Sequence, residues 1–221
     1  MTLALCLSRI ALAVLSAVAL GFAGHDAATS ATGLVDFFSH FTILSAMAAC
    51  VVLLVSGAAG LRDTRGGRGV PDMARGAVVL YMAVSGFVYG LVDTEFHDTL
   101  MPSWADHVLH QALPLVMIAD WLVDPPCRRV RYPSAASWLL LPLLYVGYSL
   151  VRGAVTDWYA YPFLDPDRGV GGYGRVTVAC LLLAALFVLL GALVVKAGNT
   201  AGARRRPREF RGGSHRRTGP R

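Results

Sequence analysis

Apolar residues run along this chain in long stretches, broken by short segments rich in arginine, glycine, proline or acids. A stretch of about 18 to 25 such residues is what an α-helix needs to cross a bilayer core of roughly 30 Å. Six stretches of that kind predict spans at 5–24, 37–59, 72–92, 104–123, 135–152 and 175–196. The connecting segments are too short to hold a second domain, and no internal repeat of the transporter kind is present. The pattern predicts an all-α integral membrane protein. Its single bundle of six transmembrane helices occupies 1–198, and a basic disordered tail follows over 199–221.

Composition agrees with this expectation and charge orients it. Of 221 residues, 55% are hydrophobic and only 15% charged, which does not fit an ordinary soluble domain. Arg62, Arg65, Arg68 and Arg75 surround the connection between the second and third spans; Arg128, Arg129 and Arg131 follow the fourth; Lys196 and the arginines from Arg204 to Arg221 follow the sixth. Because positive charge collects on the cytoplasmic side, both termini are expected there. Asp26, Asp36, Asp93, Glu95, Asp98, Asp106, Asp157, Asp165 and Asp167 fall on the opposite, outer side with all the histidines except His215. The net charge of +6 comes largely from the tail. A basic segment after a cytoplasmic helix end points to anionic lipid headgroups and not to nucleic acid. Arg9 interrupts the first stretch and no strong cleavage pattern follows it, so that stretch is read as a retained span.

Two polar stretches sit just inside apolar spans at the outer face: Phe38-Ser39-His40-Phe41-Thr42 and Asp106-His107-Val108-Leu109-His110. Ionisable groups at membrane depth usually pair with one another or line a polar cavity. Counted from the outer span ends at 1.5 Å per residue, Thr42 and His110 lie at a matched depth of roughly 8 to 9 Å. Asp106, His107 and His110 are three or four residues apart and share one helix side. Pro114 removes the N–H that would have bonded the His110 carbonyl, so a kink and a polar break are expected there. A threonine hydroxyl needs a base to take its proton, and histidine titrates in the useful range, so Thr42 and His110 form a candidate acyl-transfer dyad. Both residues also have ordinary uses, since membrane threonines commonly bond their own backbone and histidines commonly tie helices together.

Four segments, in order, carry a family likeness: Phe38-Ser39-His40-Phe41-Thr42-Ile43-Leu44-Ser45; His107-x-x-His110-x-x-x-Pro114 with Asp120-Trp121; Tyr148-Ser149-Leu150-Val151-Arg152-Gly153; and Tyr159-x-Tyr161-Pro162-Phe163-Leu164-Asp165. Together they resemble the androgen-induced-gene membrane protein family and its bacterial relatives. The resemblance implies a multi-pass hydrolase that cleaves fatty-acid esters of hydroxy fatty acids. It implies Thr42 as nucleophile and His110 as base, with no cofactor and a bacterial inner-membrane location. His40 and Ala46 depart from the aromatic and the asparagine expected at those positions in bacterial relatives.

The remaining candidates are supporting ones. His107, Asp106 and His40 are read as groups around the dyad, and Arg152, with Tyr148 one turn before it, as a clamp for a lipid carboxylate or an arginine reaching to the headgroups. Trp158 to Asp165 form an aromatic belt or a lid over a lipid-facing cavity. Asp120, about 15 Å deeper than His110, is expected to anchor the chain or pair with Arg128 to Arg131. Cys6, Cys50, Cys127 and Cys180 show neither disulfide nor zinc spacing. Two other function classes compete with the hydrolase. One is a non-catalytic protein that binds lipid or a metal through His97, His107, His110 and outer carboxylates. The other is a small transporter or assembly subunit.

Overall fold

The computed structural model describes residues 2–30, 33–62, 69–96 and 103–205, the side chains of 92–96 excepted. The described residues are helical throughout their ordered elements: α1 (Leu3–Thr29), α2 (Gly33–Phe38), α3 (Phe41–Arg62), α4 (Asp72–Phe96), α5 (Ser103–His107), α6 (Leu113–Val123), α7 (Tyr132–Ala135), α8 (Leu140–Thr156) and α9 (Gly172–Arg205). A π-helical turn, Val108–Ala112, joins α5 to α6, and a 3₁₀ turn, Ala136–Leu139, joins α7 to α8. Among the described residues five segments are long and apolar enough to cross a membrane: Leu3–Thr29, Phe41–Arg62, Asp72–Leu91, Tyr132–Thr156 and Gly172–Arg205. The expected fourth span, 104–123, is the broken helix α5–π turn–α6. α9 continues to Arg205, so residues 199–205 are helical where a disordered tail was expected. The rest of that tail and His97 lie outside the described residues.

The second expected span is interrupted. Ser39 Oγ donates to the Val35 carbonyl at 2.7 Å, and His40 Nδ1 reaches the Asp36 carbonyl at 2.9 Å. Ser39 N–H still bonds the Val35 carbonyl, but His40 N–H turns to Phe37, three residues back, and its Nδ1 takes the Asp36 carbonyl that a continuing helix would have given to that N–H, so α2 stops and α3 restarts at Phe41. The sequence alone read 37–59 as one helix because both pieces are apolar.

Small residues set the closest helix approach. α1 buries Cys6, Ala13, Ser16, Ala19, Ala23 and Ala27 at helical spacing. On α3, a Cβ at Gly57 would stand 2.8 Å from Ile10 Cγ1, so only glycine lets the two backbones come this near. Large apolar side chains point the other way: Leu140, Leu144 and Val155 on α8, and Leu181, Leu182 and Leu189 on α9, are exposed. An apolar exterior around a small-residue interior suits lipid as solvent. Within the bundle Phe41 makes edge contacts with Tyr81 and Phe187, at ring-centroid distances of 5.7 and 5.8 Å.

At the arginine-rich end the bundle closes on a buried ionic cluster. Arg9 of α1 gives Nε to Asp120 Oδ1 at 2.6 Å and Nη2 to Asp120 Oδ2 at 3.0 Å and Asp124 Oδ2 at 2.8 Å. Arg75 of α4 gives Nη2 to Asp120 Oδ2 and to the Asp124 carbonyl, each at 3.0 Å. Both arginines are 1% exposed. This corrects the expectation for Asp120: its partners are Arg9 and Arg75, which lie on other helices, and not the neighbouring Arg128 to Arg131. Asp72 of α4 adds a partly exposed third carboxylate 3.7 Å from Arg75 Nη1, so each buried arginine has carboxylate partners where unpaired charge would be prohibitive.

Candidate active site

Pro114 shapes the first half of the site. Without an N–H it cannot bond the His110 carbonyl, and the ladder widens so that Leu113 N–H returns to the Val108 carbonyl, five residues back. A Cβ at Gly86 of α4 would lie 2.9 Å from Pro114 Cβ and 3.3 Å from the His110 carbonyl oxygen, so this glycine seats the widened turn. The expected kink therefore takes the form of a π turn with His110 inside it. His110 Nδ1 meets Asp106 Oδ1 at 2.9 Å, and Tyr89 stacks on the imidazole at 4.5 Å while its hydroxyl donates to Asp106 Oδ2. With Nδ1–H committed to the carboxylate, Nε2 carries the lone pair, which is the tautomer a general base requires.

The second half is the start of α3. Thr42, second residue of that helix and 7% exposed, sits in the first turn, where backbone N–H groups lack intrahelical acceptors and the helix dipole is positive. Its N–H donates to the Tyr161 hydroxyl oxygen at 3.4 Å, and its Oγ1 lies 3.5 Å from the same oxygen. Burial pushes the Tyr161 phenol above its ordinary value, so it remains a neutral hydrogen-bond donor. The sequence pattern had placed Thr42 a turn inside a continuous helix; the break at Ser39–His40 puts it at a helix N-terminus instead.

Thr42, His110, Asp106, His107 and His40 all line one cavity of about 470 Å³, within the range of ~300–1,000 Å³ typical of small-molecule sites. Its walls are mainly apolar, and Tyr161 to Leu164 of the loop after α8 are among its lining residues. Leu143 of α8 and Val188 of α9 line it while also being 65% and 57% exposed, so the cavity reaches the apolar outer surface along these two helices. His40 directs Nδ1 at backbone carbonyls and packs its ring edge-on against Trp158 and Tyr161. His107 is exposed, with Nδ1 against the Ser103 carbonyl.

Arg152 and Tyr148 stand outside the cavity wall. Arg152 pairs with Asp36 and lies 4.2 Å over the Trp158 ring, and Tyr148 shares a 2.8 Å hydrogen bond with Ser39 Oγ. Both therefore hold the α2–α3 junction that precedes Thr42. Tyr89 and the role of Tyr161 beside Thr42 were not singled out from the sequence. Tyr161 comes from a loop 119 residues away along the chain, and no local pattern encodes that contact. Among the described residues no group of three or more His, Cys, Asp or Glu side chains could hold a metal ion.

Several long apolar helices around a cavity polar at one end and greasy elsewhere define a multi-pass helical membrane protein. No family model, curated protein or solved structure matches the chain.

Proposed function

We propose that the chain is a six-span membrane hydrolase, both termini cytoplasmic, that cleaves a lipid ester near the outer leaflet of a bacterial inner membrane. The observation that carries this reading is that Thr42 and the Asp106–His110 pair open into the same cavity. His110 Nε2 takes the Thr42 proton as Oγ1 attacks the ester carbonyl carbon. The negative charge that forms on the carbonyl oxygen is met by the Tyr161 hydroxyl, which the Thr42 N–H holds beside Oγ1. Collapse expels the alkoxide, which takes the proton back from His110, and water activated by the same imidazole releases the acyl group from Thr42. Asp106 keeps the ring oriented and stabilises its protonated form. His107 and His40 line the cavity beside the pair, and the substrate enters sideways from lipid along α8 and α9. The chemistry asks for no cofactor, and the basic tail contacts anionic headgroups.

His40 is the obvious rival base, but among the contacts of its ring there is no carboxylate to orient it, whereas His110 has Asp106. Labelling of purified protein with a fluorophosphonate ester probe tests the scheme. Wild-type protein should label and cleave lipid esters, His40→Gln should keep substantial labelling, and Thr42→Ala and His110→Gln should lose it. Wild-type protein that neither labels nor cleaves any lipid ester would rule the hydrolase out.

A further inference from the structure

Tyr89 touches both members of the Asp106–His110 pair and has no part in the chemistry above. Its place follows from α4, where Gly86 and Tyr89 are three residues apart and so lie on one side of the helix. Because Gly86 has no side chain, α4 comes against Pro114 and the His110 carbonyl. The half-buried Tyr89 ring then lies over the imidazole, with 4.5 Å between centroids and 22° between planes. Its hydroxyl donates to Asp106 Oδ2, while Oδ1 of the same carboxylate meets His110. The His110 Nδ1–H has two acceptors within reach, Asp106 Oδ1 at 2.9 Å and the Asp106 backbone carbonyl at 3.3 Å. Tethering Oδ2 from another helix fixes how the carboxylate is turned, and this favours the shorter, charge-assisted contact.

We infer that Tyr89 is a positioning residue for His110: its hydroxyl holds the Asp106 carboxylate against Nδ1, and its ring keeps the imidazole in one plane. For the reaction that His110 serves, the inference rests on the hydrolase reading; for the orientation of the ring it rests on these contacts alone. When His110 takes the Thr42 proton, the imidazole becomes a cation. The aromatic face beneath it attracts that cation, and a carboxylate already held in place meets it without reorganising. Interactions that strengthen only as the charge forms act on kcat and leave KM nearly unchanged.

The test uses the full-length protein in detergent and two readouts, hydrolysis of a p-nitrophenyl ester of a long-chain acid and the NMR signal of the His110 Nδ1 proton. Tyr89→Phe keeps the ring and removes only the hydroxyl. It should lower kcat by about 10-fold or more, the scale of one hydrogen bond to a charged group, with KM within about twofold of wild type. Tyr89→Leu, which also removes the stacked ring, should lower kcat further. In an Asp106→Asn background Tyr89→Phe should cause almost no additional loss, because the hydroxyl acts through that carboxylate; a merely structural role would cost the same in both backgrounds. Wild type should show the strongly low-field proton of an imidazole bonded to a carboxylate, and Tyr89→Phe should lose it. If no ester is cleaved but this proton is present in wild type and lost in Tyr89→Phe, the hydrolase reading falls and the positioning of His110 stands. A low-field proton missing from wild type or retained in Tyr89→Phe overturns the inference whatever the hydrolysis data show. So does an ester that is cleaved with unchanged kcat by Tyr89→Phe, or with an equal loss in the two backgrounds.

Discussion

Neutralising Asp120 should unbalance the buried ionic cluster and destabilise the whole bundle. In the native protein Arg9 and Arg75 face the buried Asp120 and Asp124, with the partly exposed Asp72 3.7 Å from Arg75 at the edge of the cluster, and Asp120 alone accepts three of the hydrogen bonds, at 2.6, 3.0 and 3.0 Å. Asp120→Asn keeps the shape and one acceptor oxygen but leaves two buried arginines facing a single buried carboxylate, Asp124, with only the partly exposed Asp72 besides. At an effective dielectric of ~20 each close pair is worth about 4 kcal/mol, and breaking one side of a buried pair typically costs ~3–5 kcal/mol once the stranded charge is counted. Asp120→Asn should therefore cost ~3–5 kcal/mol of unfolding free energy. Adding Arg9→Gln restores one buried arginine to one buried carboxylate, so the double variant should be more stable than Asp120→Asn alone by ~2 kcal/mol, half or more of the loss. Reversible unfolding in mixed micelles, followed by circular dichroism, measures both. A single variant within ~0.5 kcal/mol of wild type, or a double variant whose loss equals the sum of the two singles, would refute the idea that charge balance holds this end together.

Other consequences follow from the site if it works as the proposed hydrolase. Tyr161→Phe removes one donor from the position where the oxyanion forms and should lower kcat by about 10²-fold with little change in KM, measured on any ester the wild type cleaves. Because burial raises the Tyr161 phenol, its donor should survive to above about pH 10, and rate loss below that pH must come from another group. Asp106→Asn should reduce kcat by about 10²-fold or more by unlocking the His110 tautomer, while folding measured by thermal melting shifts little. Gly86→Leu drives a side chain into Pro114 and the His110 carbonyl and should cost ~1–3 kcal/mol together with most of the activity. Gly153→Ala places a methyl group inside the Tyr159 ring as it now stands, so the loop after α8 must shift; increased protease cleavage between 157 and 171 should report it.

Much of this protein is legible without coordinates because its solvent is lipid. The length of the apolar runs already implied helices able to cross a membrane, since an unpaired backbone is intolerable in hydrocarbon. Pro114 announced the disturbance at His110 through covalent structure alone. The Asp106–His110 pairing was accessible too, because residues four apart on a helix are neighbours. The break between α2 and α3 was not legible: His40 ends the helix by turning its ring nitrogen onto the Asp36 carbonyl, and hydropathy is blind to that choice. Thr42 consequently changed from a residue inside a span to one in the first turn of α3.

What the chain determined by itself was local: apolar runs, charge asymmetry between connections, the proline break and the helical spacing of Asp106 and His110. Folding decided every relation between distant segments. Arg9 meets Asp120 across 111 positions, Tyr161 meets Thr42 across 119, and Arg152 is taken by Asp36 across 116. None of these pairings has a sequence period, because each depends on which helix faces pack together and how deeply. Burial then gives each pairing its significance, since away from water a charge or hydroxyl must find its partner within the protein.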